Sequence, residues 1–452
     1  MNVVIIGNGK MGSTLCDLLV DEGHDITVVD NKPAALKKVI DRQDIMCVEG
    51  NGATVAVQQD AGVNKAGLVI ASTPSDELNM LCCLIAKKLG AKRTISRVRN
   101  PEYFGQINLI KDDLGLSMVL NPELSTAEEI LRMLVFPAAA KVEVFQKGRL
   151  ELVEHVVPET APVVGLTLAE VYKKIKIQCL ICAVQRDQEI YIPDGQFILQ
   201  KGDRIHICAA HKEIERFFHT NGVLKTKIKN VMIVGGGRIA YYLTQSLTNM
   251  GMHVKIIECN PDICNMLAEL LPKAIIINAD GSDQEVLLEE GIENVDAYVA
   301  LTGLDEENII MSLYGAQNSH AKVITKVNRD SYIELANQLG LDSVVSPRHL
   351  ATNYLLGYIR SLKNTAGSSI ESLYNLVGNR VEAAEFRVRD KIEGLVGIKL
   401  REMKLKKNIL ICAILRNREI IIPNGNDSIS VGDSVIIVAK EHKFSTIKDI
   451  LR

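Results

Sequence analysis

The chain opens on an apolar run, Val3 to Ile6, that breaks at Gly7 and gives way to a helical spacing in which Met11, Leu15, Leu18 and Leu19 share one face. The alternation continues, with β-rich apolar runs at 26–29, 45–48, 68–72, 94–98 and 118–120 separated by segments of helical period. Continuous apolar strands, without the in–out alternation of a half-exposed sheet, predict a parallel sheet covered by helices on both faces. That is the doubly wound, Rossmann-like α/β arrangement.

The pattern then repeats. "NVVIIGNGKMG" at 2–12 returns as "NVMIVGGGRIA" at 230–240, "DITVVDNKP" as "HVKIIECNP", "AGLVIASTPSDELN" as "VDAYVALTGLDEEN", and "AKRTISRVRN" as "HAKVITKVNR". Ile239, Leu243 and Leu247 keep the helical spacing of the first copy. Each large unit is followed by a smaller one. "CAVQRDQEIYIPDGQFILQKGDRIHICAA" from Cys182 answers to "CAILRNREIIIPNGNDSISVGDSVIIVAK" from Cys412, and both read as strand, turn, strand, a Pro-Asp/Asn-Gly turn and a last strand. The preceding "GLTLAEVYKKI" and "GIKLREMKL" each predict a short helix. Self-similarity on this scale fixes the organisation before any single motif does. The expected units are two Rossmann-like domains at 1–136 and 229–365, each followed by a small αβ domain, at 140–222 and 380–452, with a linker near 220–229.

Between large and small units lie helical stretches at 123–135 and 349–362. In the first, Leu124, Ile130, Leu131, Leu134 and Val135 form an apolar stripe too rich for a solvated linker. It has two destinations open to it: its own sheet, or another surface in the sister repeat or a second subunit.

Composition narrows the partners. A net charge of −3, from 52 basic and 55 acidic residues, gives no electrostatic case for nucleic acid or anionic lipid as the main ligand. No apolar run approaches the roughly 18 residues needed to cross a bilayer, and the N-terminus enters a strand pattern at once. A soluble cytoplasmic protein without a transmembrane segment of its own is expected. The ten cysteines and nine histidines are scattered. The C-x-x-C at Cys179 and Cys182 falls in a strand, where residues three apart point to opposite faces and cannot grip one ion. Neither a metal site nor a catalytic constellation is read from the sequence.

The chemistry lies in the glycine loops. Gly7, Asn8, Gly9, Lys10, Met11 and Gly12, and in the second copy Gly235, Gly236, Gly237, Arg238, Ile239 and Ala240, join a strand to a helix start, where free N–H groups and the helix dipole suit a pyrophosphate. A glycine loop alone is weak evidence, because a tight turn wants glycine for backbone reasons. Context strengthens it: Asp30, followed by Asn31, and Glu258 each close the second strand 18 residues past Gly12 and Ala240, where an acid accepts hydrogen bonds from a ribose. A 2′-phosphate about 4 Å from such a carboxylate would cost about 4 kcal/mol per unit charge, so NADP is disfavoured. NAD, NADH, ATP, ADP and AMP remain. Arg97 and Lys326 end the fifth strands, placed to reach a phosphate. Thr73 and Thr302, in the shared T-x-x-D-E-x-N segments, read as helix N-caps, and with Pro74 they also fall where a nucleotide contact would lie. Asn51 and Asp280 follow the third strands, near an adenosine. Neither small unit offers a recurring general acid or base, so two nucleotide sites without chemistry between them suggest sensing, with an NAD-dependent oxidoreductase of unrecognised active site as the alternative.

The four-unit series, with its paired glycine loops, Asp30 and Glu258, the T-x-x-D-E-x-N segments, Arg97 and Lys326, and the "IP-D/N-G … GD" signature of the small units, resembles the RCK (KTN) regulators of potassium transport over essentially the whole chain. The resemblance implies a cytoplasmic subunit, peripheral on the inner face of the membrane, that binds NAD(H) or adenine nucleotides. It further implies a ring of RCK units, here a homotetramer of tandem chains, beneath a TrkH- or TrkG-type membrane potassium channel. The stripes of the connecting helices would then serve domain interfaces.

Overall fold

The glycine-ended apolar runs become the central strands of two parallel sheets. The computed structural model describes residues 1–40, 45–145, 149–221, 227–362, 368–377, 380–417, 419–444 and 446–452. The first unit runs β1 (Asn2–Ile6), α1 (Lys10–Asp21), β2 (Asp25–Asp30), α2 (Pro33–Ile40), β3 (Met46–Glu49), α3 (Val55–Asp60), β4 (Leu68–Ala71), α4 (Asp76–Lys88), β5 (Thr94–Arg97), α5 (Pro101–Ile110) and β6 (Met118–Leu120). Its sheet has the order β3-β2-β1-β4-β5-β6, all parallel, which puts the reversal of strand order at the glycine loop after β1.

After helix α6 (Pro122–Val135), the small unit contains β7 (Lys141–Phe145), β8 (Leu150–Val156), α7 (Leu168–Ile175), β9 (Cys179–Arg186), β10 (Glu189–Tyr191), β11 (Arg204–Ala209) and α8 (His211–Thr220). The second Rossmann unit holds β12 (Asn230–Val234), α9 (Arg238–Asn249), β13 (His253–Glu258), α10 (Pro261–Leu270), β14 (Ile275–Asn278), α11 (Gln284–Glu289), β15 (Ala297–Ala300), α12 (Asp305–Asn318), β16 (Lys322–Lys326), α13 (Asp330–Gln338) and β17 (Val344–Val345). Its order, β14-β13-β12-β15-β16-β17, duplicates the first. Helix α14 (Pro347–Leu362) leads to the last unit, with β18 (Ser368–Leu376), β19 (Val381–Val388), β20 (Ile409–Arg416), β21 (Glu419–Ile421) and β22 (Ser434–Lys440). The two antiparallel small sheets share one topology, β7-β8-β11-β9-β10 and β18-β19-β22-β20-β21. Half of the expected linker at 220–229, residues 222–226, lies outside those described.

The small units differ in one respect from their sequence pattern. "GLTLAEVYKKI" forms α7, started by a capping box in which Thr167 and Glu170 bond each other's backbone N–H. "GIKLREMKL" forms only a single 3₁₀ turn at Leu400–Glu402, because Lys399 stands at its cap and supplies no side-chain acceptor.

The connecting helices exchange between copies. Ala127, Ile130, Met133 and Leu134 of α6 are buried with Val231, Ile233, Leu243 and Leu247 of the second Rossmann unit. Ala351, Leu355 and Ile359 of α14 are buried with Ile5, Leu15, Leu19 and Ile70 of the first. The sister repeat, not the helix's own sheet, receives each stripe, except that Val135, expected in the first, is left exposed at its end. Burial of each large side chain is worth about 1.5–3 kcal/mol, so the exchange holds the two Rossmann units face to face. The small sheets meet as well: Phe145, Leu152, Cys182 and Cys208 pack against Val381, Ala383, Cys412 and Val438. A bulge in β9 at Cys182 and one in β20 at Cys412 interrupt the ladders at equivalent places. Cys179 lies in the core on the opposite side of its sheet from Cys182, as the strand period requires.

Candidate functional site

Both glycine loops end on helices whose first turns differ from that of α4, the helix that follows β4 in the first unit. Helix α4 is capped by Ser75, which accepts a hydrogen bond from Leu78 N, and carries Asp76 and Glu77 in its first turn. Helices α1 and α9 start on Gly9 and Gly237 with no side-chain cap and no acid in the first turn, leaving N–H groups open beside Lys10 and Arg238.

The glycines divide by what requires them. Gly7 has φ +97°, and a Cβ there would lie 2.9 Å from Thr73 N; Gly235, at φ +100°, is likewise pressed against Leu301 and Thr302. Those two serve the turn. Gly9 and Gly237 have extended backbone, φ −70° and −72°, that any residue adopts, and a Cβ on either would meet no atom within 4 Å. Neither packing nor backbone conformation asks for glycine there.

The acids organise the loops. Asp30 accepts hydrogen bonds from Asn8 N at 2.7 Å and Lys32 N at 2.8 Å; Glu258 accepts from Gly236 N at 2.6 Å and Asn260 N at 2.8 Å. A Cβ on Gly236 would stand 2.7 Å from Leu267 Cδ1 and 3.1 Å from Glu258 Oε2, so glycine leaves room for both side chains. Asn8 instead turns its amide to Ala35 O at 2.8 Å. Asn31 is exposed beside Asp30. Gly12 sits where a Cβ would strike Gly7 O, while Ala240 is fully buried in the corresponding turn.

The two loops open onto one cleft of about 470 Å³, lined from the first copy by Gly9, Lys10, Met11, Pro74, Arg97, Arg99 and Glu123, and from the second by Gly237, Arg238, Ile239, Lys326, Asn328 and Arg348. Six basic side chains face one acid. Arg97 contacts Glu123 at 3.5 Å, and its Nε is buried without a hydrogen-bond partner among the described residues. Burial, followed by repulsion from Arg99 and Arg238, pushes the Arg97 guanidinium below its ordinary range, although Glu123 opposes this. Lys326, also lowered by burial and by Lys10, donates to Leu301 O at 3.2 Å. Such a chamber favours a multiply charged anion.

Of the residues expected from sequence, Gly9, Lys10, Met11, Pro74, Arg97, Gly237, Arg238, Ile239 and Lys326 come together in this cleft. The other expected residues, Asp30 and Glu258 among them, do not line it. Thr73 and Thr302 are not the N-caps: Ser75 and Leu304 occupy those positions. Each threonine donates its hydroxyl to the motif's asparagine, Thr73 to Asn79 at 2.7 Å and Thr302 to Asn308 at 2.8 Å, and each asparagine donates on to the end of the fifth strand, at Arg97 O and Lys326 O, both at 3.0 Å. The motif's aspartates clamp the following turn, Asp76 accepting from Arg99 N and Asn100 N, Asp305 from Asn328 N and Arg329 N. Asn51 and Asp280 close turns onto Ala53 N and Ser282 N. Ser282 donates to Asp280 from its backbone N–H at 2.9 Å and from its hydroxyl at 2.8 Å, and these bonds, backbone first, hold the Asp280 carboxyl below the usual range.

The sequence reading missed Arg99, Glu123, Asn328 and Arg348. Arg99 and Asn328 stand two residues past Arg97 and Lys326 in the repeated run and were open to detection. Glu123 and Arg348 begin the helices that leave their own unit, and nothing local marks them. Tyr242 of α9 joins the units, accepting from Asn121 Nδ2 at 3.0 Å and donating to Arg99 O at 3.1 Å.

No helix among the described residues is long and apolar enough to cross a membrane, and no group of three or more His, Cys, Asp or Glu side chains among them is placed to hold a metal ion.

Comparison with known proteins defines the class first. A TrkA-N domain model matches 3–122 and 231–347, and a TrkA-C domain model matches 152–221 and 384–452, so the order is N, C, N, C. The chain is 32% identical over 449 residues to the Trk system potassium uptake protein TrkA of Haemophilus influenzae, covering 98% of this chain and 96% of that one. It is 32% identical over 452 residues to the TrkA homolog of Archaeoglobus fulgidus, covering all of both. The chain belongs to the TrkA family of Trk potassium uptake proteins. In fold it is similar to the GsuK RCK domain, with TM-score 0.63 at 19% identity over 97% of this chain and 92% of the other, and to the GsuK channel bound to NAD, with TM-score 0.64 over 97% and 76%.

Proposed function

We propose that this chain is a nucleotide-responsive, non-catalytic regulatory subunit of a potassium uptake system. It binds NAD(H) or an adenine nucleotide at each glycine loop and, as a homotetrameric ring of tandem units peripheral on the inner face of the membrane, sets the opening of a TrkH- or TrkG-type potassium channel. The observation that carries the binding is the pair of glycines, Gly9 and Gly237, whose hydrogens face open space at uncapped helix starts. Close approach of a pyrophosphate is what a Cβ there would prevent. Asp30 and Glu258 stand at the ends of β2 and β13 for the ribose, and Arg97 and Lys326 end β5 and β16 beside the phosphates. Solved structures of like fold are described as bound to NAD and, at TM-score 0.51, bound to ADP.

The cleft supplies the mechanism. Without an anion its cations repel one another across the interface between the Rossmann units; with phosphates between them the units are drawn together. Moving a two-state equilibrium from 1:99 to 99:1 takes about 5.5 kcal/mol of differential binding, or about 1.4 kcal/mol for each of four chains, a tenfold difference in affinity.

Calorimetric titration of the wild type, Asp30→Ala and Glu258→Ala with NAD, NADH, ATP and ADP tests the reading. Two sites are expected in the wild type and one in each variant. Unchanged binding in both variants would overturn it.

A further inference from the structure

The two copies are not equivalent at the far ends of their nucleotide helices. Helix α1, which starts at the first glycine loop, ends at Glu22. The Glu22 carboxylate accepts from Arg360 of α14, Oε2 from Nε at 3.0 Å and Oε1 from Nη2 at 2.7 Å. The same guanidinium donates from Nη1 to both oxygens of Glu382 at 2.9 Å, in the second small domain. Glu382 also accepts from Phe444 N at 3.1 Å, and Lys443 reaches Glu22 at 3.1 Å. The three central side chains are buried, at 9%, 3% and 7% exposed. Leu18, one turn back along α1, packs into the core of the same small domain.

At the corresponding places in the second copy this connection is missing. Ser246 replaces Leu18 and bonds its own helix at Tyr242 O; Met250, 55% exposed, replaces Glu22; Val135 replaces Arg360. Glu151, at the place of Glu382, faces His211 at 3.1 Å instead.

We propose that Arg360 is the coupling residue of the first nucleotide site: occupancy at the N-terminus of α1 repositions the second small domain through Glu22, Arg360 and Glu382, while the second site has no such route. The inference rests on the nucleotide reading of the glycine loops. A helix moves as a rigid body, and a buried, multiply hydrogen-bonded ion triad has few alternative arrangements, so displacement of α1 passes into β19 and the segment at Phe444 rather than being absorbed. By linkage, disturbing the triad shifts nucleotide affinity at the first site and leaves the second unchanged.

Hydrogen–deuterium exchange of the full chain, with and without saturating NADH, reads both ends. In the wild type NADH protects residues 7–12 and 235–240 and alters exchange across 381–388 and 444–450. In Arg360→Met loop protection stays and the response at 381–388 and 444–450 is lost. Glu22→Gln, which keeps the shape of the site and removes one charge, shows the same loss and decides the matter should Arg360→Met fail to fold; Met250→Ala changes neither end. Persistence of the small-domain response in the Glu22 and Arg360 variants overturns the relay, as does a wild type whose loops are protected while 381–388 and 444–450 are unmoved. A wild type with no protection at 7–12 overturns the nucleotide reading itself.

Discussion

Gly9 separates two explanations of the glycine loop, and each makes a different demand on it. A turn glycine is tested by stability. Gly7→Ala places a Cβ 2.9 Å from Thr73 N at φ +97°, and is expected to cost about 1–3 kcal/mol in chemical denaturation. Gly9→Ala meets open space on extended backbone, so it is expected to leave stability unchanged or raise it by about 0.4–1 kcal/mol. The same substitution weakens NADH binding at the first site by about tenfold or more, about 1.4 kcal/mol, in calorimetry. Loss of stability without loss of binding would reverse the assignment. The sequence shows three glycines in each motif's neighbourhood and cannot say which serve the turn, because that depends on what stands opposite each Cβ position. The same holds for Thr73 and Thr302: a threonine before a pair of acids reads as a cap, and only the structure shows its hydroxyl committed to Asn79 and Asn308.

At the scale of elements, α6 and α14 are where reading the chain stops short. Their apolar stripes were legible, and so was the need to bury them; periodicity gives the width of a buried face and carries no information about which sheet receives it. The exchange predicts that Ile130→Ala, cutting a side chain of α6 out of the core of the second Rossmann unit, costs about 2–5 kcal/mol and destabilises that unit rather than the first. Exchange rates in β12 and β13, compared with β1 and β2, would show it. The triad at the end of α1 adds a pH dependence. Burial alone would raise the Glu22 carboxyl, but the hydrogen bond and charge of Arg360, with Lys443, hold it below its ordinary 4.5. A carboxylate lowered in the folded state contributes stability above its unfolded value that is lost as pH falls through the folded one. Docking of the second small domain on α1 is therefore expected to hold at neutral pH and loosen below about 4.5, a loss that Glu22→Gln should abolish. Removing one partner of such a buried pair costs about 3–5 kcal/mol.

At the scale of the whole molecule, duplication was the strongest signal in the chain: the internal repeats of "NVVIIGNGKMG" and "CAVQRDQEIYIPDG" prescribe four units in order, and the sheets follow that order. How the units face one another was beyond it. The glycine loops lie far apart in sequence, yet share one cleft, because two exchanged helices and the contact between Tyr242 and Arg99 set the Rossmann units mouth to mouth. Under the proposed function, that juxtaposition would make two nucleotide sites into one responsive interface, with regulation between copies rather than within either. Potassium flux through a TrkH- or TrkG-type channel in vesicles, with the chain added and NADH or ADP varied, tests this most directly when wild type is set beside the Gly9→Ala, Gly237→Ala double variant. A nucleotide-dependent change of flux is predicted with the wild type and, at nucleotide concentrations just sufficient for the wild type, none with the double variant, which folds but binds about tenfold more weakly or worse; a double variant so weakened that still gives the wild-type flux response would contradict it.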